Sequence, residues 1–249
     1  MKQILSIITL CLILISFSSP IEIPFSLEEG LIAHYDFNDC DAKDITGNGS
    51  DGELFGGVTC WCGIEDDGLL LDGLNDYIEF HGKVNKYFTT SDFTMSFFIR
   101  TDQYSFFRQS LFSKREDCGE EYVLDFLIDR NKQSIETIVK ESEYKSYRDI
   151  SPEILDGGWY HVALVREGRE AQTYINGQLQ KSATRCSGVD LSNDAVISFS
   201  NTPCLDGTIR RFKGILDELR IYERALSEEE IEAIYLLTPI ERVKSDCLT

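Results

Sequence analysis

The sequence is poor in the residues that common catalytic and nucleic-acid-binding motifs require. Its 249 residues contain only three histidines, and 24 Lys and Arg stand against 43 Asp and Glu. The formal net charge of −19 argues against nucleic acid or anionic lipid as a partner, because both need a basic surface. An acidic surface instead suits solubility, salt tolerance or cation binding.

Familiar catalytic signatures are also absent from the sequence. There is no GxSxG, HExxH, P-loop or dinucleotide-binding motif. His34 and His161 fall in predicted strands, where a packed, hydrogen-bonded imidazole is expected. His81 follows a predicted strand and is expected to be exposed. The sequence therefore offers no hydrolase triad.

Long apolar runs are missing except at the N-terminus. Lys2 precedes a mostly apolar stretch at residues 4–17, and residues 16–18 form a small-x-small cleavage pattern. We predict a signal peptide over residues 1–18 and a secreted, extracellular chain that starts near Ser19. The alternative is an uncleaved N-terminal anchor. No other stretch is long enough for insertion into a membrane after signal removal.

Eight cysteines become seven when Cys11 is removed with the signal. In an exported chain they are expected to form disulfides. Zinc is disfavoured, because the CxC at residues 60–62 has no second paired cluster. We predict the pairs Cys40–Cys60 and Cys186–Cys204, since each closes a local loop beside a predicted strand. The remaining cysteines, one of which must stay free or link a dimer, are Cys62, Cys118 and Cys247.

Short alternating segments separated by turn residues fill most of the mature chain. Asn176-Gly177 is a signal for a two-residue hairpin turn. This pattern predicts an all-β, two-sheet antiparallel jelly-roll sandwich over residues 19–238, followed by a C-terminal tail over 239–249. One short C-terminal helix is predicted after Ser227, with Glu230 completing a capping box.

The stretch GILDELRIY at 214–222 carries a carboxylate in an unusual place. As a regular strand it puts Asp217 on one face with Ile215, Leu219 and Ile221. A carboxylate in an apolar row has to be paired, hydrogen-bonded or bound to a metal. The sequence leaves these alternatives open.

An ordered set of stretches resembles the laminin-G-like, concanavalin A-like jelly-roll domains. The set covers nearly all of the mature chain and comprises 31–39, 44–54, 69–80, 93–101, 158–179 and 214–235. The resemblance implies two stacked antiparallel sheets and an extracellular binding or adhesion role, without identifying a ligand.

The same resemblance implies a structural calcium site. The matching positions are Asp36, Asp44, Asn48 and Asp217, with backbone carbonyls near Gly47 as further ligands, and calcium prefers such oxygen donors. The alternative is that Asp217 accepts hydrogen bonds from loop amides or pairs with Arg or Lys. Asn48 also begins an N-glycosylation sequon, and a glycan there would compete with a ligand role.

Some glycosidases share this fold and carry closely spaced acids on one strand. The nearest match here provides only Asp125 and Asp129. We therefore expect a secreted, non-catalytic module that binds carbohydrate or a glycoconjugate. The alternatives are an extracellular protein–protein adhesion domain and, less favoured, a glycoside hydrolase.

Sugar recognition favours exposed aromatic side chains with polar groups beside them. The candidates lie in predicted loops or at strand edges, and their alternative role is packing at the rim of the sandwich. They are Tyr104, Phe106, Tyr144 and Tyr147.

Overall fold

The structure is a computed structural model that describes residues 26–101, 106–129, 133–154, 157–168, 170–183, 190–240 and 243. The predicted signal peptide, Cys186 and Cys247 lie outside these residues. Within them the chain forms sixteen strands, one 3-10 helix and one α-helix. No helix among them is long and apolar enough to cross a membrane.

The first eight strands are β1 Leu31–Tyr35, β2 Gly52–Phe55, β3 Thr59–Cys62, β4 Asp67–Asp72, β5 Tyr77–Phe80, β6 Phe93–Thr101, β7 Arg108–Lys114 and β8 Val123–Asp129. The last eight are β9 Ser134–Ser142, β10 Lys145–Ile150, β11 Trp159–Glu167, β12 Glu170–Ile175, β13 Gln178–Ala183, β14 Ile197–Phe199, β15 Ile209–Arg211 and β16 Lys213–Tyr222. The 3-10 helix spans Gly82–Lys86 and the α-helix, α1, spans Glu228–Leu237.

The strands form two sheets, which confirms the predicted jelly-roll class. The first sheet has the order β13-β12-β11-β6-β16-β4-β3, with β1 added against β16. The second has the order β10-β9-β8-β7-β14-β5-β2. The short β15 joins β7 in a parallel pairing, whereas the other printed pairings are antiparallel.

A large apolar cluster fills the space between the two sheets. Phe97 of the first sheet meets Phe112 and Phe126 of the second in edge-on ring contacts, with centroids 4.7 and 5.3 Å apart. Such contacts stabilise the core beyond simple burial of area. The packing fixes which residues of each strand face outward.

Helix α1 covers part of the outer face of the first sheet. The Ser227 side chain accepts the Glu230 amide and the Glu230 side chain accepts the Ser227 amide, as predicted. Ile231 and Ile234 pack in a cluster with Ala163 of β11. A neighbouring outer cluster includes Trp159 and Phe98, with Ile215, Tyr235 and Ile240 packed there. The helix and the segment after it therefore cover this face.

A β-bulge at Glu218 overturns the predicted facing of Asp217. The pairing of β16 with β6 shifts between Asp217 and Arg220, and Glu218 has a φ of 50°. A bulge adds one residue and resets the alternation. Leu219 and Ile221 consequently lie in the core, whereas Asp217 lies opposite Phe98 on the outer side. The predicted shared row was wrong.

The hairpin prediction is confirmed, and the disulfide predictions are partly so. Asn176 and Gly177 have positive φ values of 51° and 73° between β12 and β13, as a two-residue turn of this kind requires. Cys40 pairs with Cys60, as predicted.

The predicted Cys186–Cys204 pair is wrong, because Cys204 pairs with Cys118 across 86 positions of sequence. Proximity in sequence misled the prediction, since the antiparallel order brings the turn after β7 beside the loop after β14. Cys62 is disulfide-bonded as well.

Candidate binding face

The outer face of the second sheet carries a row of polar residues across neighbouring strands. Glu79 pairs with Ser198, and Ser198 with Ser113. Ser113 in turn pairs with Asp125, and Glu53 extends the row beyond Glu79. The residues beside them along the strands pack in the core, so the row faces outward. These core neighbours are Phe80, Phe112, Leu124 and Phe199.

Asp125 is held by specific partners at the middle of the row. Its Oδ1 accepts the Ser113 hydroxyl at 2.7 Å, and its Oδ2 accepts Arg115 Nη1 at 2.7 Å. Burial raises the pKa of Asp125, while the Arg115 guanidinium acts in the opposite direction. The carboxyl is committed to these contacts and is not a free acid.

Glu136 on β9 is another buried carboxylate of this face, as is Asp129 on β8. Arg148 of the adjacent strand β10 and Arg108 of β7, two strands away, both donate to Glu136. The pairing of one buried acid with two guanidinium groups satisfies its charge.

The row ends at the sheet edge in a cluster of His81, Glu53 and Glu79. His81 Nε2 lies 3.7 Å from a Glu53 oxygen and 3.8 Å from a Glu79 oxygen. The His81 side chain is 44% exposed, which confirms the expected exposure. Glu79 is the less exposed of the two acids and lines a pocket.

The loop after β14 lies over this face and is anchored there. The Asn201 carbonyl accepts the Ser198 and Ser110 hydroxyls at 3.1 and 3.3 Å. Thr202 Oγ1 lies 3.2 Å from Ser113 Oγ. The disulfide from Cys204 to Cys118 ties the loop to the turn after β7.

A pocket opens on each side of this loop, which we call the tethered loop (residues 201–208). The first pocket, of about 350 Å³, is lined by the row and the loop, including Glu79, Ser113, Arg115, Ser198, Asn201 and Thr202. The second, of about 320 Å³, lies beside Leu74, Leu205, Gly207, Ile209, Arg210 and Arg211. Both volumes lie at the lower end of the range for small-ligand sites.

The predicted aromatic candidates do not converge on one site. Tyr144 is 92% exposed in the turn between β9 and β10, and Phe106 is 75% exposed before β7. Tyr147 was predicted wrongly, because β10 turns it into the core, where its hydroxyl lies 2.7 Å from Thr173 Oγ1. Tyr104 lies outside the described residues.

Asp44 and Asn48 both lie in the loop after β1. Asp44 Oδ1 accepts the His34 amide and both the amide and hydroxyl of Thr46. Its Oδ2 is buried and has no hydrogen-bond partner among the described residues. Asn48 Nδ2 donates to the Ile32 carbonyl. These donors fit a hard cation such as calcium.

Asp217 does not fit that cation site. Its Oδ2 accepts the amides of Ile64 and Glu65 at 2.7 and 3.3 Å, and its Oδ1 accepts the Glu218 amide at 2.8 Å. Burial raises the pKa of Asp217 well above its ordinary value, and the charge of Glu218 adds to this. The amide alternative of the sequence prediction is thus the observed one.

Asp36 also stays apart from a shared ion. Its Oδ1 accepts the Asn38 amide at 3.4 Å. Among the described residues, the one compact group of three metal-ligating side chains is Cys40, Cys60 and Asp67, and its two cysteines are joined in a disulfide. The three predicted carboxylates therefore do not meet around one ion in the structure.

Comparison with known families accords with this architecture. A family model for the concanavalin A-like lectin/glucanases superfamily matches residues 72–232. The chain belongs to this superfamily. The match runs from the end of β4 into α1 and includes every strand of the polar row except β2. A comparison with curated proteins finds no match.

Solved structures share the fold at low sequence identity. Domain 4 of AbnA, a GH43 extracellular arabinanase from Geobacillus stearothermophilus solved with arabinotriose, has 21% identity and a TM-score of 0.66, covering 82% of this chain and 98% of that one. The binding domain of Paraclostridial Mosquitocidal Protein 1 has 21% identity and a TM-score of 0.69, covering 84% and 52%.

The binding domain of botulinum neurotoxin DC, solved with rat synaptotagmin II, has 14% identity and a TM-score of 0.68, covering 86% and 52%. The chain thus spans about half of each of the two toxin binding domains. At these identities the likeness shows the fold alone.

Proposed function

We propose that this protein is a secreted, non-catalytic module that binds carbohydrate or a glycoconjugate through the outer face of its second sheet. The observation that carries the proposal is the polar row, with its pocket beneath the tethered loop. Helix α1 and the segment after it pack on the first sheet. On this face Ser113, Asp125 and Ser198 are buried, and Glu79 stays partly exposed at the pocket. A partly exposed carboxylate on a rigid sheet suits the orientation of sugar hydroxyls.

The comparisons support the class of ligand. The arabinanase domain was solved with arabinotriose and is matched over nearly its whole length. Two disulfides among the described residues favour an oxidising, extracellular setting.

The pairing of two of the buried acids supports a non-catalytic role. Retaining and inverting glycosidases need two carboxyl groups that are available to the substrate. Asp125 is paired with Arg115, and Glu136 with Arg108 and Arg148. This pairing disfavours the glycoside hydrolase alternative.

A glycan array with matched charge variants tests the proposal. Glu79→Gln keeps the side-chain shape but removes a charged acceptor from the first pocket, and Glu232→Gln makes the same change on the exposed side of α1. We expect array binding that E79Q weakens roughly tenfold, the effect of one charge-assisted hydrogen bond, while E232Q binds as wild type. Equal binding by both variants would contradict the assigned face.

We also propose a structural calcium ion bound by Asp44 and Asn48, without Asp36. The buried, partnerless Oδ2 of Asp44 supports it. The ion would stabilise the loop after β1, whose Ser50 carbonyl accepts the Tyr35 hydroxyl at 2.5 Å. Asp217 is not part of this narrower set.

Protein–protein adhesion is the second candidate function. The observation that favours it is the exposed pair of aromatics, Tyr144 and Phe106, on separate turns. The neurotoxin domain solved with synaptotagmin has the same fold. A silent glycan array, together with a stable disulfide-linked dimer on non-reducing electrophoresis or with a Tyr144→Ser-sensitive protein partner, would favour this candidate.

A further inference from the structure

The second pocket differs from the first in charge and in its apolar lining. It lies between the turn after β4, where Leu74 is 79% exposed, and the strand β15. Arg210 and Arg211 both line it, although the whole chain carries a net charge of −19. Two adjacent guanidinium groups in one pocket of such an acidic protein favour the binding of an anion.

Arg211 is fixed in place by neutral groups. Its Nη1 donates to the Ser200 carbonyl at 2.9 Å and to Asn201 Oδ1 at 3.1 Å. Its guanidinium lies 4.4 Å from the centre of the Tyr77 ring. The side chain is thereby pre-organised by contacts that do not include a direct ion pair.

Arg210 is exposed, and its guanidinium lies 4.7 Å from the centre of the Phe107 ring. Among the described residues, neither Arg210 nor Arg211 has a carboxylate within ion-pair distance. By contrast, Arg108, Arg115, Arg148, Arg220 and Arg224 each pair with an acid. Neither guanidinium group of this pocket is thus held in a direct ion pair, although Asp72 and Asp76 act on Arg211 from a longer distance.

We propose that the second pocket binds the carboxylate of an acidic sugar at the end of a glycan. A guanidinium group binds a carboxylate through two parallel hydrogen bonds, which gives both energy and geometry. The exposed Leu74, with Leu205 and Ile209 of the lining, provides apolar surface for the sugar ring. A volume of about 320 Å³ suits a terminal sugar. This inference rests on the proposed carbohydrate function and names the ligand class of an additional subsite.

The test compares two oligosaccharides that differ only in the terminal sugar, glucuronic acid in one and glucose in the other. Isothermal titration at physiological salt measures their Kd for wild type, Arg210→Gln and Lys83→Gln. Lys83 is an exposed cation in the 3-10 helix that follows β5, whereas Tyr77, which contacts Arg211, lies at the start of β5. K83Q is therefore a charge-matched control away from the pocket. We expect wild type to bind the acidic sugar at least about tenfold more tightly, R210Q to lose that preference and K83Q to keep it.

Equal binding of the acidic and neutral sugars by wild type, or an unchanged preference in R210Q, would overturn the inference. Either result leaves the proposed function standing if both sugars bind and E79Q weakens them. Absence of binding by both sugars and throughout the array would overturn the proposed function as well. A sulfated sugar that binds as tightly as the glucuronate would overturn the assignment to carboxylate. Unchanged thermal melting of R210Q excludes a folding defect.

Discussion

The buried carboxylate of Asp217 accepts hydrogen bonds from three backbone amides. The turn that provides two of these amides comes so close that a Cβ on Gly63 would collide with Asp217 Oδ2. A glycine is therefore required at position 63. Asp217 thus ties β16 to the turn after β3 through these hydrogen bonds.

Of the residues in the predicted calcium site, Asp44 remains a proposed ligand and Asp217 does not. An ion that binds only the folded state stabilises it by roughly 2.7 kcal/mol at 100 times its Kd. We expect EDTA to lower the melting temperature of wild type and of Asp217→Asn, and calcium to restore it. Asp44→Asn should melt at one temperature with or without EDTA. If EDTA leaves wild type unchanged and elemental analysis finds no metal, the calcium proposal fails.

Because His161 is buried, we expect the protein to lose stability in acid. It is fully buried with its Nε2 2.8 Å from Ser96 Oγ, and burial lowers its pKa from 6.5 to about 3, with Arg220 adding to the effect. Between pH 6.5 and about 3, His161 therefore binds a proton in the unfolded chain but not in the folded chain. Stability should fall by up to about 1.4 kcal/mol per pH unit between pH 6.5 and 3.

Urea unfolding at several pH values measures this slope. His161→Gln removes the titrating group, so its free energy of unfolding should depend less steeply on pH over the same window. The comparison uses slopes, which remain informative when the variant is less stable throughout. Identical slopes for the two proteins would contradict the assigned role of His161.

At the scale of elements, the tethered loop and the bulges decide where the site forms. The sequence pattern predicted most strands, the Asn176-Gly177 turn and the capped helix, because these depend on local chemistry. It did not predict the polar row, because that row requires the strand order and the register shifts in β7 and β16. Glu79, Ser113, Asp125 and Ser198 alternate with core residues, but alternation alone does not show which strands become neighbours.

The Cys118–Cys204 disulfide should matter for binding as well as for stability. The double variant C118S/C204S should lose about 2–4 kcal/mol of stability and bind glycan more weakly, because the tethered loop lines both pockets. The matched variant C40S/C60S removes a disulfide beside the first sheet and should lose stability while keeping its affinity at a temperature where it is folded. Equal affinity in both variants would show that the tether does not shape the site.

At the scale of the whole molecule, the outer faces of the two sheets differ. Helix α1 and Ile240 cover part of the outer face of the first sheet, whereas the second sheet carries the polar row and the two pockets. The sequence predicted the sandwich and the acidic surface but not this division. The division depends on where the helix packs after β16, a long-range contact that no local pattern encodes.

Amide NMR spectra recorded during titration with the tightest glycan of the array test the account most directly. We predict that shift changes concentrate in β5, β7, β14 and residues 201–208, and that α1, β11 and β12 remain unchanged. Changes concentrated in α1 and the first sheet would contradict the account, because the ligand would then bind the face that the protein covers itself.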